Sequence, residues 1–169
     1  MAEATLLVHP FGPVFDNACT RLVLGSFPSA ASRAQQFYYG HPQNRFWNVL
    51  ACLYEADVPE TVPEKKSFLL SRRIALWDAA ASCVVTGSSD ASIRSAVPND
   101  IASLLKTTAV RTVFCNGKTS FRIYESYRTK SGLTLLPQAV LLPSTSPANA
   151  AWSLPRLMDA WKAILETEN

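Results

Sequence analysis

The chain has 169 residues, of which 48% are hydrophobic and 17% are charged, and its formal net charge is +3. This length and composition are typical of one domain with its own core, so we treat residues 1–169 as a single domain. No apolar run is long enough to cross a bilayer, and the acidic start of the chain argues against a signal peptide. We therefore expect a cytoplasmic protein without a membrane segment, and a monomer is the simplest expectation for its assembly.

The four cysteines contain no Cys-x-x-Cys pair. Zinc and iron–sulfur sites usually show such pairs, so neither a metal nor another cofactor is expected. We expect free and mostly buried thiols instead.

Four short apolar runs bounded by turn formers predict buried strands, and amphipathic stretches between them predict helices. In chain order the elements are a strand at 21–25, a helix at 43–56, a strand at 74–78, a helix capped by Asn99, a strand at 110–115, a helix at 117–128, a strand at 139–143 and a helix at 153–166. Strands that alternate with helices pair in parallel through right-handed crossovers. We predict an α/β fold, a three-layer α/β/α sandwich around a central four-stranded parallel sheet.

The segments that follow these strands are the candidate site, because open parallel sheets bind ligands beyond the carboxyl ends of their strands. They are 25–29, the residues from Asp78 onward, 115–118 and 142–150. Residues 131–155 carry no charge, whereas basic side chains collect elsewhere. Neutral loops beside a basic surface suit a polyanion held outside while an uncharged group is read inside, although ordinary solvated helix faces would give the same pattern.

The stretch YYGHPQNRFW at 38–47 combines stacking rings with hydrogen-bonding side chains. Tyr39 lies in a predicted loop, where its ring can stack on a planar base, and Asn44 precedes a helix whose Phe46 and Trp47 face the core. His41 is more typical of a structural loop histidine.

Two further loops offer polar groups without charge. Asn116 follows a strand, where its side-chain amide either complements the edge of a base or closes an ordinary turn. In LLPSTSPANA at 141–150, Ser144, Thr145 and Ser146 can bind a phosphate through hydroxyl and N–H groups, and Pro147 helps to fix the loop. We therefore predict DNA contacts for 144–147.

These segments resemble the uracil-DNA glycosylase superfamily, and most of all its hypoxanthine-DNA (deoxyinosine) glycosylase branch. The strings that carry the resemblance are LGSFPSAAS (24–32), YYGHPQNRFW (38–47), ALWDAAASCVVTGSSDASI (75–93), VFCNGK (113–118) and LPSTSPANA (142–150). The resemblance implies a uracil-DNA-glycosylase-like sheet between helices, a cleft at the strand ends and a base that is flipped out of the duplex.

The resemblance also implies roles for single residues. Many relatives carry an Asp or Asn after the first strand, where this chain reads Gly25, Ser26, Phe27, and a His or Asn where it has Leu142. The branch instead implies Asn44 as the catalytic residue, holding the attacking water. The residues expected to bind the base are Gly25, Ser26, Phe27, Tyr39, His41 and Asn116. Asp78 and Asp90 match positions of the branch, and a role in capping turns is preferred for both.

The function implied is hydrolysis of the N-glycosidic bond of deoxyinosine in DNA that contains deaminated bases, leaving an abasic site. A monofunctional enzyme is expected, because the loops after the first and last strands contain no lysine. Two alternatives stay open: a uracil or mismatched-thymine DNA glycosylase, and a non-catalytic module that binds a nucleotide or DNA.

Overall fold

The computed structural model describes residues 3–86, 93–133 and 135–165, and they form two β-sheets with flanking helices. In chain order the elements are β1 (Thr5–Val8), β2 (Arg21–Gly25), α1 (Ala30–Gln35), α2 (Phe46–Leu53), α3 (Val62–Ser71), β3 (Ile74–Asp78), β4 (Ala80–Val85), β5 (Arg94–Pro98), α4 (Ile101–Lys106), β6 (Thr112–Asn116), α5 (Lys118–Lys130), β7 (Ala139–Leu142), α6 (Leu154–Trp161) and a 3-10 turn (Lys162–Ile164).

The larger sheet is parallel and has the strand order β3-β2-β6-β7. Its central strand β2 is buried along its whole length, as expected for a strand covered on both faces. One core lies between the sheet and helices α2 and α6, and it includes Val23, Phe46 and Trp161. A second core lies on the opposite face and includes Leu22, Leu24 and Ile101. The predicted sandwich with a four-stranded parallel sheet is confirmed.

The smaller sheet was not predicted from the sequence. It is antiparallel, with the strand order β1-β4-β5. A single residue separates the end of β3 from the start of β4, and it is neither glycine nor proline. A connection of one residue leaves no turn-forming residues in the sequence. The sequence pattern therefore does not separate β3 from β4. The backbone N–H of His9, just beyond β1, donates to the carbonyl of Ala81 (2.8 Å).

The helices differ from the prediction at their ends and in number. Helix α2 is shorter than the predicted 43–56, and α1 and α3 were not predicted. The N-cap of α4 is Asp100, whose carboxylate accepts a hydrogen bond from the Ser103 N–H (3.3 Å), so the prediction that Asn99 caps this helix was wrong. Asn99 donates instead to the carbonyl of Asp78 (2.9 Å).

Two further predictions concern the cysteines and Asp90. Cys19, Cys83 and Cys115 are buried free thiols and Cys52 is exposed, as the spacing of the cysteines indicated. Asp90 lies outside the described residues.

Among the helices that the structure describes, none has the length and apolar character needed to cross a bilayer.

Candidate active site

The carboxyl ends of the parallel strands bring a row of side chains to one edge of the sheet. Gly25 of β2 pairs with Asp78 of β3, and Asn116 of β6 pairs with Leu142 of β7. Because Leu24 pairs with Cys115, Asn116 comes next to Gly25 on its other side. Side chains in register on parallel strands point to the same face, so Asp78 and Asn116 flank a position that carries no side chain.

The space above Gly25 is occupied by two polar atoms of other residues. A Cβ at Gly25 would lie 2.3 Å from Asp78 Oδ1 and 2.8 Å from the Tyr39 hydroxyl. Both distances are shorter than real contacts of a Cβ atom, so any other residue here would displace the side chains of Asp78 and Tyr39. The close approach of a ligand to the Gly25 backbone stays a prediction.

A directional hydrogen-bond network joins Asn116, Thr145 and Asn44. The backbone N–H of Thr145 donates to Asn116 Oδ1 (3.0 Å), and Asn116 Nδ2 donates to Thr145 Oγ1 (3.0 Å). Thr145 Oγ1 in turn donates to Asn44 Oδ1 (2.9 Å), which also accepts from the Phe46 backbone N–H (2.9 Å). All three candidate loops, at 38–47, 115–118 and 141–150, therefore meet at the end of β6.

The backbone groups of this network fix which amide atom points where. A backbone N–H can only donate, so the atoms that face the Phe46 and Thr145 N–H groups are the amide oxygens of Asn44 and Asn116. The Thr145 hydroxyl accepts from Asn116 and must therefore give its own proton to Asn44. Both lone pairs of Asn44 Oδ1 are then engaged, and the group that remains available on Asn44 is its Nδ2 amide, a donor of two hydrogens.

The turn before α2 holds Asn44 in place. The Asn44 N–H donates to the carbonyl of His41 (3.0 Å), and His41 Nδ1 accepts from the Gln43 N–H (3.1 Å). His41 thus shapes the turn through its backbone and its ring, in agreement with a structural histidine. Asn44 is half-buried and Asn116 is 8% exposed, so the two amides differ in their access to a ligand.

Arg45 connects the loop at 141–150 to the start of α2 through hydrogen bonds. Its guanidinium donates to the backbone carbonyls of Trp152, Ser146 (3.0 Å) and Asn149 (3.2 Å), and its backbone N–H donates to the Thr145 carbonyl (3.1 Å). The sequence did not reveal this role, because the partners lie 100 or more residues away. A hint was present, since Arg45 is one of few charges in a neutral stretch.

We expect Arg45→Ala to lower the free energy of unfolding by about 2 kcal/mol, because hydrogen bonds to charged groups contribute roughly 1.5–3 kcal/mol. Arg45→Lys should restore only part of this loss, since an ammonium cannot reproduce the planar fork of donors. Denaturant titration measures both values, and Arg111→Ala, which changes an exposed arginine, is the matched control. A loss no larger than that of the control would contradict the role given to Arg45.

Aromatic side chains form one side of the site. The Tyr39 ring stacks on Phe46, with ring centroids 4.1 Å apart, and Tyr39 is half-buried. Its backbone has φ 54°, a conformation that non-glycine residues adopt infrequently and that is often found at functional positions. Phe46 and Trp47 are core residues, as their helical spacing predicted.

Ser26 and Phe27 are buried just beyond β2. The Phe27 ring packs against Ala80 and Cys83 and lies edge-on to the His9 ring (5.7 Å). A contact between Phe27 and a base would therefore involve its backbone rather than its ring.

The predicted DNA-contact residues do not all share one environment. Thr145 is fully buried and its hydroxyl and N–H are both used in the network, so the structure gives it a different place from the predicted phosphate contact. Ser144 and Ser146 are half-buried, and their hydroxyls accept from the N–H groups of Ser146 (3.1 Å) and Ala148 (3.2 Å). Pro147 is half-buried as well.

Asp78 forms a buried pair with His9, a residue that the sequence did not single out. His9 Nε2 lies 2.8 Å from Asp78 Oδ2, and both side chains are at most 5% exposed. Burial raises the pKa of Asp78, and the hydrogen bond from His9 opposes that rise. Within the described residues, no group of three or more His, Cys, Asp or Glu side chains is arranged to hold a metal ion.

Sequence comparisons match this chain to one family of known proteins. The family model of the uracil DNA glycosylase superfamily matches residues 13–166. A hypoxanthine DNA glycosylase of Methanosarcina acetivorans is 32% identical over 161 residues, covering 94% of this chain and 98% of the relative. One of Methanosarcina barkeri is 34% identical over 113 residues, covering 65% and 71%.

A solved structure is similar over the whole chain. It is the solution NMR structure of a protein from Methanosarcina acetivorans described as a uracil DNA glycosylase. The TM-score is 0.79 at 29% sequence identity, and the match covers 98% of this chain and 100% of that one. The superfamily match over residues 13–166 and the 32% identity to a hypoxanthine DNA glycosylase over 94% of this chain lead to one conclusion: the chain belongs to the uracil DNA glycosylase superfamily.

Proposed function

We propose that the protein is a monofunctional DNA glycosylase that flips deoxyinosine out of DNA and hydrolyses its N-glycosidic bond, leaving hypoxanthine and an abasic site. The observation that carries this proposal is the directional network, in which Thr145 fixes both amides and leaves hydrogen-bond donors available on Asn44 and Asn116. Both Methanosarcina relatives are named hypoxanthine DNA glycosylase, which supports the same substrate.

Donors on these amides suit hypoxanthine better than adenine. Hypoxanthine presents acceptors at O6 and N7, whereas adenine presents an amino donor in place of O6. A donor that faces the adenine amino group leaves two buried donors unpaired, at a cost of about 1–3 kcal/mol for each. Deamination therefore converts a base that the site rejects into one that it binds. Inosine pairs are also weaker than normal pairs, which lowers the cost of extrusion.

The geometry favours a role for Asn44 that differs from the predicted one. Both lone pairs of its amide oxygen are occupied, so this oxygen is not available to accept a hydrogen bond from an attacking water. Its Nδ2 group can donate to the base, where negative charge develops as the C1′–N9 bond breaks and the sugar gains oxocarbenium character. A fixed donor of this kind typically contributes about 100- to 1,000-fold in rate. Asn44 acts on the leaving group, and Tyr39 stacks on the extruded ring.

In the same proposal, Ser144, Ser146 and Pro147 face the DNA backbone beside the extruded nucleotide, and the protein acts as a monomer. The loop carries no charge, so its polar contacts are hydrogen bonds from the Ser144 and Ser146 hydroxyl groups rather than ion pairs. The basic residues outside these loops supply the general attraction to DNA.

An excision assay tests the proposed substrate. Purified protein is incubated with duplexes that each hold one inosine, uracil, xanthine or mismatched thymine, and the abasic sites are then cleaved with alkali. We expect strand breaks mainly at inosine, and none without alkali because the enzyme is monofunctional. Breaks mainly at uracil would replace hypoxanthine by uracil as the substrate. Retained DNA binding without breaks at any base would contradict the enzymatic function.

A further inference from the structure

The pair formed by His9 and Asp78 is a second polar element at the same edge of the sheet, and the network of Asn44, Thr145 and Asn116 does not include it. His9 arrives from the small sheet and Asp78 ends β3, next to Gly25. Among the residues that the structure describes, Asp78 is the one carboxylate counted as buried, at 3% exposure. Buried charges are costly even when paired, and they concentrate at functional sites.

The two oxygens of Asp78 have different surroundings. Oδ2 lies 2.8 Å from His9 Nε2. The Phe11 N–H donates to His9 Nδ1 (3.4 Å), so the proton of a neutral His9 ring is on Nε2 and is given to Asp78. Oδ1 lies over Gly25 instead, beside the Tyr39 hydroxyl. His9 thus orients the carboxylate so that its other oxygen, Oδ1, lies over Gly25, between Asp78 and Asn116.

The spacing of the row fits a base that presents a donor on one side and acceptors on the other. Adjacent strands are about 4.8 Å apart, which places the Cα atoms of Asp78 and Asn116 about 10 Å apart with Gly25 between them. The amides of Asn116 and Asn44 offer donors from one side, and Asp78 Oδ1 offers an acceptor from the other.

We propose that Asp78 Oδ1, held by His9, accepts the N1–H of the flipped base and so determines the specificity of the site for keto purines. This inference rests on the proposed function. Hypoxanthine carries N1–H next to its O6 acceptor, whereas N1 of adenine is an acceptor and would face a carboxylate oxygen. Deamination of adenine therefore changes both the group at C6 and the group at N1. The amides of Asn44 and Asn116 recognise the change at C6, and Asp78 recognises the change at N1.

The test compares two bases in the wild-type protein and in Asp78→Asn. In this variant His9 Nε2–H holds the amide oxygen, so the new NH₂ group faces the base. The probes are duplexes with a single inosine or a single unsubstituted purine nucleotide, whose N1 is an acceptor. A 2′-fluorine on the sugar slows loss of the base by destabilising the oxocarbenium-like transition state. Asp159→Asn, which removes an exposed carboxylate on α6, is the matched control.

We expect Asp78→Asn to raise the Kd of the inosine duplex about 10- to 100-fold, the usual effect of losing a charged hydrogen bond. The Kd of the purine duplex should stay within about threefold or fall, and Asp159→Asn should change neither. Equal losses on both duplexes would overturn the role of Asp78 in reading N1–H. That result is distinguishable from failure of the proposed function, in which the wild-type protein does not excise inosine at all.

A stability measurement separates reading of the base from a purely structural role. Burial raises the pKa of Asp78 in the folded protein, so the folded state binds its proton more tightly than the unfolded state does. Ionised Asp78 therefore costs stability, and this cost grows as the pH rises through its folded pKa. We expect Asp78→Asn to be at least as stable as the wild type at neutral pH, with the difference shrinking as the pH is lowered. A large loss of stability at neutral pH would indicate a structural role and overturn the proposal.

Discussion

Asn44→Ala is expected to reduce the single-turnover rate of inosine excision about 100- to 1,000-fold, because the variant lacks the donor that stabilises charge on the departing base. The variant also loses the acceptor for the Phe46 N–H at the start of α2, which costs about 1 kcal/mol of stability. Single-turnover kinetics on an inosine duplex measure the rate, and denaturant titration shows whether the variant is folded.

Asn48→Ala is the matched control for this change. Asn48 lies on the exposed face of α2, one turn beyond Asn44, so its removal should leave the rate unchanged. Asn44→Asp adds a second comparison, since a carboxylate keeps the acceptor for Phe46 but has no N–H to donate. We expect it to be nearly as slow as the alanine variant. A fast Asn44→Asp variant would indicate that the residue holds the attacking water, as the resemblance to the family implied.

Gly25→Ala is expected to abolish most of the activity, with a loss of at least about 100-fold, through a single added methyl group. The new Cβ would lie 2.3 Å from Asp78 Oδ1 and 2.8 Å from the Tyr39 hydroxyl, so both side chains must move away from the centre of the row. Overpacking of this kind also costs about 1–3 kcal/mol of stability. The excision rate and the free energy of unfolding are both measured.

The control is Gly12→Ala, where nothing lies within 4 Å of an added Cβ and the rate should not change. Equal rates for Gly25→Ala and Gly12→Ala would show that the positions of Asp78 and Tyr39 above Gly25 do not matter for the reaction.

The sequence predicted the four strands of the parallel sheet, of which β2, β3 and β6 are mostly buried. Strands β2 and β3 have the predicted bounds, and β6 and β7 differ by one or two residues at their ends. Such strands are continuous apolar runs, and their parallel pairing follows from the helices between them. Asn116 could be selected as a site residue because it stands at the end of a predicted strand, whereas Asn44 was selected through the resemblance to the deoxyinosine glycosylase branch.

The remaining features depend on contacts between distant parts of the chain. The hydrogen bond from Thr145 to Asn44 spans 101 residues, and that between His9 and Asp78 spans 69. From the sequence, Thr145 was predicted to contact DNA in the same way as the serines beside it. Only the fold shows that Thr145 is fully buried between two amides. The small sheet was missed for a related reason, since its strands are short and partly exposed.

The central claim is that Thr145 orients two amides so that their N–H groups face an extruded hypoxanthine. The most direct test is a crystal structure of the protein with a duplex that holds a 2′-fluorinated inosine. We predict that the base lies over the row at the sheet edge, with Asn44 Nδ2 and Asn116 within about 2.7–3.2 Å of its O6 or N7. The claim would be contradicted by a base bound away from these amides, or by an Asn44 amide oxygen released from Thr145 and turned to a water at C1′.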